Sequence, residues 1–184
     1  VGAGGAAAKF DMREFLRLRA PNDLSADDRY ALASAAVALL VAAGELDAAA
    51  DLLIAGERWD ELRMLILGAA EGLVARGRQR TLSVWLDALP GERFGDPWLT
   101  YWRGLALAPF DPPAASGHLE RAYRQFDATG TGDGLYLAWT ANVELICLAW
   151  ANFRQLDRWL DDAERLRRCF GTPPGYLYGR FTAA

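Results

Sequence analysis

The chain has 184 residues, of which 52% are hydrophobic and 24% charged, and its formal net charge is -4. This length suits one domain with a sizeable core or a short repeat array, and the apolar share is too high for disorder. The acidic balance excludes an overall positive field that would draw the chain to phosphate backbones. The longest apolar run, Ala31 to Ala43, contains Ser34 and is too short to span a bilayer. Cys147 and Cys169 lack metal-site spacing and a small secreted frame, so they are expected as reduced, packed thiols of a cytoplasmic protein.

Residues 1–10, VGAGGAAAKF, lack a basic stretch followed by a long apolar core and read as a flexible leader. Residues 11–170 read as one helical domain. Ser25 followed by Asp28 is an N-cap of capping-box type, opening a helix that ends at Gly44. A partner helix is expected from Leu46 to Ala55, with Gly56 as its breaker. A third helix starts near Trp59 and carries Leu62, Leu65, Ile66, Ala69, Ala70 and Leu73 at helical spacing up to Gly77. Its partner holds Leu82, Trp85, Leu86 and Leu89 before Pro90.

Asp96 and Pro97 read as N-cap and first residue of a helix carrying Trp98, Leu99, Trp102, Leu105 and Leu107 to a break at Pro109. Asp111-Pro112-Pro113 caps the next helix, which bears Leu119, Ala122, Tyr123 and Phe126. TGTGDG, Thr129 to Gly134, is expected to be the most flexible linker. Helices from Leu135 to Ala151 and from Arg154 to Phe170 follow. Residues 171–184 read as the start of a truncated further repeat. Its Tyr176, Leu177 and Phe181 are expected to fold back over the preceding helix or against another copy.

These elements repeat. Gly44 is followed by Ala49 and Leu53, Gly77 by Leu82 and Leu86, and one more step of 33 lands on Phe110, Ala115 and Leu119. A helical hairpin cannot bury its apolar stripe alone, so hairpins at this period stack. The expected fold is all-α, a tetratricopeptide-like right-handed superhelix of about four hairpins.

The run from Asp51 to Pro90 resembles the helical-repeat region of the MalT-like, LuxR-group ATP-dependent transcriptional regulators of bacteria. Trp59, Leu73, Gly77, Leu82, Trp85, Leu86, Leu89 and Pro90 carry the likeness. Phe15 to Ala20, FLRLRA, looks like the arm before that region, and the likeness covers most of Phe15 to Leu166. It implies a cytoplasmic multidomain regulator whose repeats sense a small-molecule inducer or a protein partner and help control self-association, a homo-oligomer included. The sequence has no GxxxxGK[ST] phosphate loop, so ATP would belong to a domain outside it and no cofactor is expected in this chain. Nor is a DNA-reading module recognisable.

Candidate chemistry is sparse. The glycine clusters near the start and at GTGDG have no preceding strand and no following Lys-Ser or Lys-Thr, so they read as linkers. The only histidine, His118, reads as a surface or groove-lining residue. One His and two distant Cys make no metal site, and no catalytic residue is expected. Asp161, Asp162 and Glu164 lie among arginines on what reads as a solvated helix face, with Asp161 to Arg165 and Glu164 to Arg168 as four-residue pairs. Arg76, Arg78 and Arg80 form a basic turn better explained by a helix C-terminus than by nucleic acid.

The aromatic residues stand out. Trp98, Tyr101, Trp102, Tyr136, Trp139 and Trp150 fall on the first helices of the third and fourth hairpins. Successive helical residues point about 100° apart, so Tyr101, Trp102 and Arg103 cannot all enter one core. Core packing takes most of them. A groove for a ligand or partner is expected from Trp98, Tyr101, Trp102, Tyr136 and Trp139, with Arg103, Asn142 and Glu144 as polar fixers. The function expected is a non-enzymatic sensor or protein-interaction domain of a transcriptional regulator, with no nucleic-acid or membrane contact of its own. The alternative is a stand-alone tetratricopeptide scaffold that binds a peptide or protein.

Overall fold

A computed structural model describes residues 25–91, 95–149, 154–173 and 175. The leader, the FLRLRA arm, Trp150 and most of the expected further repeat lie outside the described residues. Among these residues the regular secondary structure is α-helical, with no strand. The helices are α1 Ala26–Ala42, α2 Leu46–Ala55, α3 Trp59–Ala75, α4 Gln79–Ala88, α5 Pro97–Leu107, α6 Pro112–Thr129, α7 Gly132–Ala149 and α8 Arg154–Phe170. The chain divides into two compact units, residues 1–52 and 53–184.

Local chemistry sets the boundaries. Ser25 caps α1 through Asp28 N at 3.1 Å, as its spacing predicts. Gly44, Gly77 and Gly130 end α1, α3 and α6 in the left-handed region, with φ of 78°, 72° and 66°. Each closes the same turn. The glycine N–H donates to a carbonyl three back, and the next N–H reaches five back, as from Arg78 to Leu73 O at 2.8 Å. Asp96 caps α5 through Trp98 N at 2.8 Å, and Asp111 caps α6 through Ala114 N at 3.0 Å.

In the first unit α1 buries only Ala36, leaving Tyr30, Leu32 and Leu39 exposed. In the second, every helix from α3 to α8 packs on its neighbour in sequence. In addition α3 packs on α5, and α5 on α7, so the first helices of successive hairpins lie side by side. The repeat positions are buried as their period requires. Ala49, Leu82 and Ala115 are fully buried, and so are Leu53, Leu86 and Leu119.

One connection differs from expectation. TGTGDG is not a flexible linker: α6 runs through Thr129 and α7 begins at Gly132, leaving only Gly130 and Thr131 between them. The glycines serve close packing. Gly134 lies against the Phe126 ring and Gly132 against Phe170, and a longer linker would pull these helices apart. Beside the Gly132–Phe170 contact Tyr136 Oη donates to Gly171 O, which further ties the start of α7 to the end of α8.

Candidate functional site

The face where α3, α5 and α7 lie side by side holds a groove of about 600 Å3. Helical spacing selects its lining. Trp98, Tyr101, Trp102, Leu105 and Ala108 form one stripe of α5. Leu137, Ala141, Glu144, Leu145 and Leu148 form a matching stripe of α7, and Glu71, Val74 and Ala75 come from the end of α3. Leu119 of α6 reaches the floor.

Aromatic packing shapes the floor. Tyr101 is buried and stands edge-on to Trp102 at 5.0 Å and to Trp98 at 6.3 Å. Trp98 in turn meets Phe126 of α6 at 4.8 Å. These edge-to-face contacts hold the rings in fixed orientations, so the half-buried faces of Trp98 and Trp102 are a preformed surface. Among the described lining residues the charged ones are Glu71 and Glu144, both carboxylates. Glu71 is solvent-exposed, as are Ala75 and Leu148, so the lips of the groove stand in water.

Of the eight residues singled out from sequence, four meet here: Trp98, Tyr101, Trp102 and Glu144. The others point elsewhere. Arg103, one residue past Trp102, turns away and pairs with Asp87 of α4. Trp139 is buried between α7 and α8, its indole Nε1 donating to Trp159 O at 2.7 Å. Asn142 is buried and donates to Ala138 O of its own helix at 2.7 Å. Tyr136 lines a second, smaller cavity of about 410 Å3, with Trp98, Thr131, Asp133 and Thr172.

Sequence reasoning missed the contribution of α3 because that stripe contains no aromatic residue. The step of 33 carried part of the signal: Ala75 and Ala108 stand one step apart at the C-terminal ends of α3 and α5 and both line the groove, as does Ala141 in the middle of α7.

The remaining polar clusters are built into the helix packing. Arg165 of α8 reaches Asp127 Oδ1 at 2.9 Å and Tyr123 Oη at 2.8 Å on α6. It also reaches Asp162 at 3.2 Å. Asp162, three residues before Arg165, thus stands where the four-residue pairing with Asp161 was expected. Burial above all, then the Asp162 carboxylate, pushes the Tyr123 phenol up to about 12. His118 of α6 is half-buried, outside the groove lining, and burial followed by the charges of Arg103 and Arg121 hold its pKa below the ordinary 6.5.

Cys147 and Cys169 are free thiols, but they are exposed rather than packed as expected, since each lies on an outward face of its helix. Among the described residues no group of three or more His, Cys, Asp and Glu is placed to hold a metal ion. No helix among them is long and apolar enough to cross a membrane. No family model matches the chain, and neither a curated protein nor a solved structure shows significant similarity to it.

Proposed function

We propose that this chain is a tetratricopeptide-like superhelical array that binds an effector or protein partner in the groove of α3, α5 and α7. It acts by binding rather than by catalysis. On this reading it is the cytoplasmic sensor segment of a MalT-like transcriptional regulator, and occupancy of the groove controls the regulator's self-association. The supporting observation is the groove itself, an apolar, aromatic-floored recess among the described residues where α3, α5 and α7 pack side by side. Its volume lies within the range of ordinary ligand sites, about 300–1,000 Å3.

The test is selection of ligands from a random peptide library and a metabolite panel, each binder then measured on the Ala75→Trp variant. Ala75 is exposed at the lip of the groove, so a tryptophan there fills the volume without entering the core. At least one saturable ligand is expected, and it should be lost in that variant. Binders that are all indifferent to Ala75→Trp, or saturable sequence-dependent binding of duplex DNA at physiological salt, would contradict the proposal.

A further inference from the structure

We draw no further inference here: the strongest candidate, the exposed apolar face of α1 at Tyr30, Leu32 and Leu39, carries nothing, because nothing in the structure shows what covers it.

Discussion

Gly104 of α5 lies so close to Leu119 of α6 that a β-carbon on the glycine would sit 2.6 Å from the leucine Cγ. Leu119 is fully buried and its backbone N would be 3.2 Å away, so neither atom can easily yield. The close approach of these helices therefore depends on a hydrogen atom at residue 104. It also sets the depth of the groove, whose floor includes Leu119.

Gly104→Ala is accordingly expected to destabilise the chain by about 1–3 kcal/mol through overpacking. At Gly68, exposed in the middle of α3, an added β-carbon would meet nothing within 4 Å. There Gly68→Ala should stabilise by about 0.5–1 kcal/mol through helix propensity. Chemical denaturation of both variants checks the pair, and equal effects would show that the α5–α6 contact is looser than described.

The two tryptophans expected as groove anchors should separate. Trp102→Ala should weaken a groove ligand by more than about 1 kcal/mol if Trp102 anchors it. Trp139→Phe deletes the hydrogen bond to Trp159 O and should cost about 1–3 kcal/mol of stability, with ligand affinity unchanged. Calorimetric titration beside denaturant unfolding reads both, and loss of affinity in Trp139→Phe would argue against this placement.

That separation shows what could be read from the sequence. Helix ends were legible because their causes are local: Ser25, Asp96 and Asp111 cap, and Gly44 and Gly77 terminate, through contacts within a few residues. The buried positions Leu53, Leu86 and Leu119 were legible because a repeat imposes one environment at one period. Rotational phase was not. Whether Trp102 or Arg103 faces the groove depends on where α4 and α7 sit around α5, and neighbouring residues differ by about 100°. The TGTGDG segment misled for a related reason. Glycines that permit close helix contact look in sequence like glycines that permit motion.

His118 gives an acid limb to stability. Its folded pKa lies below 6.5, so the unfolded state binds the proton more readily. The neutral form's contribution is complete above 6.5 and is lost as pH falls through the lowered value. Urea midpoints should decline as pH drops below 6.5, and His118→Gln should flatten the onset of that decline. An unchanged profile in the variant would contradict the assignment.

Tyr123 gives an alkaline limb of opposite sign. Its folded pKa is raised to about 12 from 10.0, so its contribution is complete below 10.0 and disappears as pH climbs through about 12. Tyr123→Phe should remove part of that loss, the remainder including Tyr136, whose phenol burial also pushes up. Denaturation midpoints across this window test it, and a limb of undiminished steepness in Tyr123→Phe would refute it.

Partner entry by the face of α3, α5 and α7 is the central proposal, and the chain's seven tryptophans offer a direct reading of it. In a chain labelled with nitrogen-15, each indole N–H gives its own resonance during titration with the tightest selected ligand. The signals of Trp98 and Trp102 should move and saturate together, while those of Trp139 and Trp159 stay in place. Saturable shifts at Trp159 or Trp85 with Trp98 and Trp102 unmoved would place the partner elsewhere and contradict the proposal.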